Sequence, residues 1–105
     1  MITALVQIKL PAPARREEVV AAFEASAPNY RGTPGLLRKY YLFDGVDRVG
    51  GFYLWRDRES AAAVHTPAWL KQVGERYGSI ADISYFEVPV VVDNGAEQDQ
   101  DKGTD

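Results

Sequence analysis

Hydrophobic and polar residues alternate along the first ten residues of the chain. In ITALVQIKL, residues 2–10, every second side chain is apolar, which is the period of a β-strand. The apolar face carries Ile2, Ala4, Val6, Ile8 and Leu10. Pro11 and Pro13 follow, and they end the strand because proline cannot donate a ladder hydrogen bond. We therefore predict a first strand over residues 2–10.

The apolar spacing changes to that of a helix between Ala14 and about Tyr30. Apolar positions now recur every three or four residues, and most charged side chains fall outside that stripe. The stripe consists of Val19, Val20, Phe23, Ala27 and Tyr30. This pattern predicts one helix with a single buried face, and the turn residues Gly32, Pro34 and Gly35 come after it.

Two apolar segments lie in the middle of the chain, LLRKYYLF at 36–43 and RVGGFYLW at 48–55. Both are rich in the aromatic and branched residues that strands favour. The connection between them begins with Asp44 and Gly45, a pair typical of tight turns. The two segments therefore predict a β-hairpin.

Helix signals follow the hairpin, and a last strand ends the folded part. Asp57 can cap a short helix from Arg58 to His65, since a carboxylate accepts hydrogen bonds from the free amides of a first turn. A second helical segment starts at Pro67 and ends at Gly78. The segment from about Ile80 to Val92 is strongly β-branched and aromatic, which predicts a strand.

The order of these elements predicts an α+β fold of the ferredoxin-like βαββαβ type, with a four-stranded antiparallel sheet and both helices on one face. In a monomer the other face should be polar. The second strand is instead apolar on both faces, with the sets Leu36, Tyr40, Leu42 and Leu37, Tyr41, Phe43. Exposing such side chains forgoes roughly 1.5–3 kcal/mol each. We predict a homodimer that packs sheet on sheet; the alternative is a monomer whose aromatics line a loosely covered face.

Composition and charge limit the classes of function. The 105 residues suit one domain, and the 46% hydrophobic share is that of a globular protein. Residues 95–105 carry the whole formal charge of −3, which predicts a single domain over 1–94 and a disordered acidic tail over 95–105. A neutral domain gives no support for nucleic-acid binding, and no apolar run reaches the roughly 18 residues of a membrane span. Without cysteine, disulfides are excluded, and we expect a cytoplasmic protein.

Several segments resemble the YdhR-type monooxygenase family, within the antibiotic-biosynthesis-monooxygenase-like dimeric α-β barrel superfamily. The similar motifs are PGLL at 34–37, GGFYLW at 50–55 followed by Asp57, SA at 60–61, and YFEV at 85–88. The resemblance spans residues 2 to about 90. It implies a dimeric α-β barrel fold and a cofactor-independent monooxygenase acting on a small aromatic or polyketide-like substrate.

A looser similarity to the wider superfamily covers Trp55, His65 and Trp69, and it implies that these residues border a pocket between the sheet and the helices. His65 is the only histidine. Its functional interpretation is a general base that removes a proton from the substrate, leaving a carbanion that can reduce dioxygen. The alternative is a helix-end histidine that interacts with the last carbonyls.

Aromatic residues supply the predicted substrate pocket. An apolar, flat-walled space would hold an aromatic ring and exclude water. The predicted lining residues are Phe23, Tyr53, Trp55, Trp69 and Tyr77. The alternative for each of them is ordinary core packing.

Four polar residues lie within strands, where charge is awkward on a doubly covered sheet: Gln7, Lys9, Arg38 and Lys39. We predict that Arg38 stabilises a developing phenolate. For Lys9 and Lys39 we expect one of two positions. Either the residue lies at the edge of the sheet, or its aliphatic chain packs on apolar surface while its ammonium reaches water at the rim of the dimer.

No cofactor is expected from the sequence. One histidine and no cysteine do not make the usual zinc site, and neither a phosphate loop nor a dinucleotide fingerprint occurs. Haem ligation through His65 is not predicted. Two other functions stay open, an isomerase on the same scaffold and a non-catalytic, small-ligand-binding or stress-related dimer.

Overall fold

The computed structural model describes residues 1–95, and it contains four strands, three α-helices and one short 3-10 helix. The elements in chain order are β1 (Ile2–Lys9), α1 (Arg16–Ser26), a 3-10 helix (Ala27–Tyr30), β2 (Leu36–Phe43), β3 (Arg48–Trp55), α2 (Arg58–Val64), α3 (Pro67–Tyr77) and β4 (Ala81–Glu87). The acidic tail predicted over 95–105 lies, except for its first residue, outside the described residues.

The strands form one antiparallel sheet in the order β2-β3-β1-β4. The central strand β1 pairs with β3 from Ile2 opposite Trp55 to Lys9 opposite Arg48, and with β4 from Ile2 opposite Glu87. This order, with helices between β1 and β2 and between β3 and β4, is the ferredoxin-like α+β fold. The predicted fold class is therefore confirmed.

The helices cover one face of the sheet, here called the helix side. The alternate residues of β1 that the sequence placed on one face are all buried there, from Ile2 at 4% to Ala4 at 0% exposure. The other members of this core are Val6, Ile8, Val19, Val49, Tyr53, Trp55, Ala61 and Ala81. The core thus depends on the period-two alternation of the strands.

The first helix and the last strand are both shorter than predicted. A 3-10 helix replaces the last turn of α1, and Pro28 lies within it, because proline lacks the N–H that a continued α-helix needs. β4 ends at Glu87 rather than Val92 because its partner β1 begins at Ile2. Beyond Val88, whose N–H donates to the carbonyl of Met1, no strand is left to pair with.

The opposite face of the sheet, here called the open face, carries exposed apolar side chains. Tyr40 is 50% exposed and Phe86 is 56% exposed. The sequence pattern placed Leu36 on the same face as Tyr40 and Leu42. A register shift between Leu36 and Arg38 instead turns Leu36 toward the helix side, so that prediction was wrong for Leu36. The homodimer that the apolar open face predicts stays a prediction.

Candidate active site

A lysine on β2 points into the space between the sheet and the helices. Lys39 pairs with Tyr53 across the β2-β3 ladder and therefore shares its face. Its Nζ lies 3.5 Å from the ring centre of Tyr30, 3.9 Å from that of Tyr41 and 4.7 Å from that of Tyr53. An ammonium is attracted to the negative face of such rings. We call these four residues the lysine cage.

A glycine makes room for this arrangement. A Cβ at Gly51 would lie 2.9 Å from Cε1 of Tyr53 and 3.3 Å from Cε of Lys39. Any larger residue would have to displace the ring or the lysine stem. The adjacent Gly50 has a different reason, because a Cβ there would collide with the backbone carbonyl of Val6.

Burial changes the acid-base chemistry of the lysine cage. The pKa of Lys39 is lowered to about 7, chiefly because burial disfavours the ammonium and secondarily because the Arg76 guanidinium repels it. Burial likewise raises the pKa of Tyr41 and of Tyr53 above the ordinary value for a phenol. At neutral pH the lysine therefore exchanges between ammonium and free amine beside the neutral phenols of Tyr41 and Tyr53.

The lysine cage lies between an inner cavity and an outer cleft. The inner cavity has a volume of about 30 Å³. It is lined by Val6, Ile8, Phe23, Ser26, Tyr30, Lys39, Tyr41, Gly50, Gly51, Tyr53, Val73, Arg76 and Tyr77. The outer cleft, of about 370 Å³, shares Tyr30, Lys39 and Tyr41 with it. These three side chains separate the two spaces.

His65 lies in a cluster of aromatic rings at the end of α2. The indole Nε1 of Trp55 donates to its Nε2 at 3.1 Å. The ring centres of Trp69 and Tyr53 lie 4.5 and 4.6 Å from that of His65, and Tyr85 lies at 6.2 Å. We call this set, His65 with its four aromatic neighbours, the histidine cluster.

The hydrogen bond from Trp55 fixes the tautomer of His65. Because an indole N–H can only donate, Nε2 must be unprotonated and the proton of the neutral ring lies on Nδ1. Nδ1 is buried and has no hydrogen-bond partner within residues 1–95. Burial, with a smaller contribution from Lys39, lowers the pKa of His65 to about 4. The histidine is therefore neutral at physiological pH, and its one lone pair is already engaged.

Hydrogen bonds connect the two groups of residues to each other and to α1. The indole Nε1 of Trp69 donates to the hydroxyl of Tyr30 at 3.1 Å. The hydroxyls of Ser26 and Tyr41 lie 2.5 Å apart, so α1 also holds one wall of the lysine cage. Tyr53 belongs to both groups, since its ring packs against both His65 and Lys39.

The structure brings together only part of the predicted site. Phe23, Tyr53 and Tyr77 line the inner cavity. Trp55 is fully buried at 0% exposure and, with Trp69, packs against His65 instead of lining that cavity. The roles predicted for these residues stay predictions.

Arg38 lies on the other side of the sheet from the lysine cage. It pairs with Leu54 on the open face, and its guanidinium donates to the hydroxyl of Tyr40 at 3.2 Å. The cation that faces the aromatic rings is its neighbour Lys39. Sequence reasoning assigned Lys39 to an edge or rim. It does lie on the edge strand β2, where it is half-buried with its ammonium over the aromatic rings of the helix side.

Sequence reasoning also did not select Tyr30, Tyr41 or Arg76 as site residues. A usable signal existed for two members of the lysine cage. Once Phe43 is paired with Val49 in the hairpin, every second residue of β2 lies on the same face as the buried residues of β3. Lys39 and Tyr41 are two of these residues. Tyr30 and Arg76 reach the cavity from the helices. The apolar stripe of the first helix indicated that Tyr30 faces the core, but no signal identified Arg76.

Neither a cluster of metal-ligating side chains nor a membrane-spanning helix occurs in the part of the chain that the structure describes. Within residues 1–95 no group of three or more His, Asp or Glu side chains could hold a metal ion. No helix among these residues is long and apolar enough to cross a membrane.

The fold and this space define a class, ferredoxin-like α+β domains with an aromatic-lined space between sheet and helices. The sequence matches no protein-family model and no curated protein at a significant level. Similar crystal structures include a monooxygenase from ActVA-Orf6 of Streptomyces coelicolor in complex with nanaomycin D. It is 13% identical, with a TM-score of 0.65, over 87% of this chain and 89% of that one.

Two further structures have the same architecture. SnoaB, a cofactor-independent oxygenase from Streptomyces nogalater, is 17% identical with a TM-score of 0.61, over 87% of this chain and 95% of its own. A MhuD variant with two manganese protoporphyrin IX per active site is 25% identical with a TM-score of 0.66, over 90% of this chain and 100% of its own. The structural neighbours are thus proteins like the antibiotic biosynthesis monooxygenases.

Proposed function

We propose that this protein is a YdhR-type monooxygenase that oxidises a small planar aromatic or polyketide-like substrate with dioxygen and without a bound cofactor. The observation that carries the proposal is the lysine cage, which holds a partly deprotonated amine against aromatic walls. Support also comes from the fold, which the ActVA-Orf6 monooxygenase and the cofactor-independent oxygenase SnoaB share.

The reaction begins with a proton transfer to Lys39. Its free amine, present near neutral pH, removes a proton from an activated CH₂ of the substrate, and the resulting ammonium stabilises the carbanion. The carbanion gives an electron to dioxygen, and the two radicals join in a C–O bond. Protonation yields a hydroperoxide, which loses water to leave a ketone. One oxygen atom of O₂ stays in the product and the other leaves as water.

His65, the base predicted from the sequence, fits a different role. Its Nε2 accepts a hydrogen bond from Trp55, and its pKa of about 4 makes it a weak proton acceptor at pH 7. Within the proposal His65 is a positioning residue. It holds Tyr53 and Trp69, and Trp69 in turn donates to Tyr30 of the lysine cage.

The substrate must enter from the outer cleft. An inner cavity of about 30 Å³ holds water molecules only, whereas ligand pockets usually measure about 300–1,000 Å³. The outer cleft of about 370 Å³ admits an aromatic ring. Tyr30, Lys39 and Tyr41 then have to turn aside for the ring to reach Tyr53.

Haem does not fit the histidine of this chain as it stands. The Nε2 lone pair of His65 receives the Trp55 N–H, and the buried Nδ1 carries the proton. An iron ligand would need His65 to leave the histidine cluster. We therefore derive no step through haem, although MhuD binds a manganese porphyrin on this fold.

Oxygen uptake with a panel of anthrones, which carry the activated CH₂, tests the proposal. We expect consumption of one O₂ per ketone formed and, with ¹⁸O₂, one labelled oxygen in the product. Lys39→Met should lower the rate about 10²–10⁴-fold, the range for loss of a general base. Lys9→Met removes an exposed lysine from another strand and serves as the control.

Two other results would contradict the proposal. A product without ¹⁸O and without oxygen consumption would indicate an isomerase. Ligand binding without any product would indicate the non-catalytic alternative.

We also propose that two copies pack through their open faces. The exposed apolar side chains of this face include Tyr40, Leu42 and Phe86. A second sheet would remove them from water and gain about 25 cal/mol for each Å² of apolar surface buried. Sedimentation at micromolar concentration should give a species of twice 11.7 kDa, and a purely monomeric species would contradict this proposal.

A further inference from the structure

Lys39 borders two spaces and has no carboxylate beside it. Its side chain lines both the inner cavity and the outer cleft, and no Asp or Glu in the described part of the chain lines either space. Lys9, in contrast, pairs with Asp47. No carboxylate lining these two spaces therefore holds a proton on the Lys39 amine.

The surroundings of Lys39 are those that make a lysine amine nucleophilic, namely a desolvated site and a neighbouring cation. Its Nζ lies 3.5 Å from the ring centre of Tyr30 and 3.9 Å from that of Tyr41, and Arg76 lines the inner cavity with it. Burial first and the guanidinium second lower the pKa of Lys39 to about 7. About half of this amine is therefore free at pH 7, against roughly 0.04% of an ordinary lysine.

We propose that Lys39 is also a nucleophile, which forms a Schiff base with an aromatic aldehyde or ketone bound in the outer cleft. This activity goes beyond the monooxygenase reaction, in which Lys39 only accepts and returns a proton, and it does not depend on that reaction. The amine attacks the carbonyl carbon and forms a C–N bond, while the carbonyl oxygen takes up a proton. The resulting carbinolamine loses water and leaves a C=N bond. The carbonyl oxygen and both hydrogen atoms of the amine are lost as that water.

The outer cleft brings a carbonyl group to Lys39 without rearrangement of the lysine cage. Its volume of about 370 Å³ lies in the range of ordinary ligand pockets. Lys39, Tyr30 and Tyr41 form the wall that the cleft shares with the inner cavity. The carbonyl carbon has to reach only this wall, whereas a ring that is to contact Tyr53 has to pass it.

A proton donor for the carbonyl oxygen lies in the same wall. The hydroxyl of Tyr30 accepts a hydrogen bond from the indole of Trp69 at 3.1 Å. A hydroxyl that accepts still has its own proton to donate. Tyr30 can therefore protonate the carbonyl oxygen as Lys39 attacks, which assists the addition and the later loss of water.

Reductive trapping tests this inference without requiring oxygen or turnover. The natural protein is incubated under nitrogen at pH 7 with 2-naphthaldehyde and sodium cyanoborohydride, which reduces an imine to a stable amine. Mass spectrometry of the intact chain counts the naphthylmethyl groups. Peptide mapping then distinguishes Lys39 from the three other lysines and the amino terminus.

We expect labelling of Lys39 to be about tenfold or more faster than labelling of the exposed Lys9, because the larger share of free amine outweighs its lower basicity. The rate at Lys39 should saturate with the concentration of 2-naphthaldehyde, as binding in the outer cleft requires, while the rate at Lys9 rises linearly. Lys39→Met should abolish the fast labelling, and Lys9→Met should leave it unchanged.

Denaturation supplies a control that needs no variant. In guanidinium chloride the preference for Lys39 should disappear, because unfolding returns the amine to water. Labelling of Lys39 that is no faster than that of Lys9 in the folded protein, or a preference that persists after denaturation, would overturn the inference.

Failure of this inference and failure of the proposed function give different results. If anthrones are oxidised and Lys39 is not trapped, the monooxygenase proposal stands and the nucleophilic role is wrong. If Lys39 is trapped and no anthrone consumes oxygen, the Schiff-base lysine stands and the monooxygenase proposal is wrong.

Discussion

The two faces of the sheet use neighbouring residues of β2 in opposite ways. On the open face, Arg38 donates to the hydroxyl of Tyr40, and both side chains are exposed. On the helix side, Lys39 lies 3.9 Å from the ring centre of Tyr41, and both side chains are half-buried. Each face thus combines one cation with one tyrosine, and the two pairs differ in their burial and in the kind of cation.

Burial is what gives one pair its chemistry. Removing an ammonium from water disfavours its charge, which lowers the pKa of Lys39 toward neutrality. The guanidinium of Arg38 stays charged whatever its surroundings, because arginine does not lose its proton in proteins. A reactive group therefore arises on the helix side, and a charged surface or interface on the open face.

The largest expected difference between the faces is in stability. Trp55, fully buried on the helix side, stacks on Tyr53 and donates to His65. Trp55→Ala should lower the free energy of unfolding by about 3–5 kcal/mol. Leu54→Ala, on the half-buried open face, should cost about 1–2 kcal/mol in dilute protein. Equal losses in urea unfolding would contradict the assignment of the core to one face.

The second difference is in the pH dependence of stability. The pKa of Lys39 is about 7 in the folded protein and 10.5 ordinarily, so between these values the unfolded chain binds more protons. Stability from this group therefore rises with pH from about 7 to 10.5. Lys39→Met lacks this pH-dependent contribution. The amount by which its free energy of unfolding exceeds that of the natural protein should therefore be greatest at pH 6 and smaller at pH 9.5. Urea unfolding at pH 6 and pH 9.5 measures this difference in the free energy of unfolding. An equal change in both proteins between the two pH values would contradict the prediction.

His65 should show the corresponding effect at lower pH. Its pKa is about 4 in the folded protein and 6.5 ordinarily, so the unfolded chain binds more protons between these values. Stability from this group is therefore lost as pH falls from 6.5 toward 4. His65→Gln, which keeps an acceptor for Trp55, should lose less stability over that range. Because the chain has one histidine, its ¹⁵N spectrum also reports directly whether Nδ1 carries the proton at pH 7.

The smallest expected difference concerns the two tyrosine hydroxyls. Tyr41→Phe removes a part-buried hydrogen bond with Ser26 and should cost about 1 kcal/mol. Tyr40→Phe removes an exposed hydrogen bond from Arg38 and should cost less than about 0.5 kcal/mol. Thermal unfolding of the two variants gives this comparison, and a reversed order would show that the open face is the more ordered one.

Local pattern was enough to predict the fold from the sequence. Alternation in β1 identified its buried face, and Asp57 and Gly78 lie at the helix ends that the structure has. The errors fall where a partner element decides the outcome. β4 ends at Glu87 because β1 begins at Ile2, a fact of pairing that β-propensity does not contain.

The candidate site was harder to predict because it depends on register and burial. Choosing between Arg38 and Lys39 requires knowing which residue of β2 lies opposite Tyr53, and the irregularity before Arg38 disrupts simple alternation from the start of the strand. The neutral state of His65 depends on a hydrogen bond from Trp55, ten residues away in sequence. That hydrogen bond leaves no mark in composition or spacing, whereas the position of Lys39 follows once the register of the hairpin is known.

A titration of Lys39 by NMR tests the central claim most directly. The ¹³Cε and ¹⁵Nζ signals of Lys39, assigned with Lys39→Arg, should shift with a pKa of about 7, well below the ordinary 10.5. The signals of Lys9, which is largely exposed, provide the comparison within the same sample. A pKa of Lys39 near 10.5 would contradict the buried amine and, with it, the proposed proton acceptor.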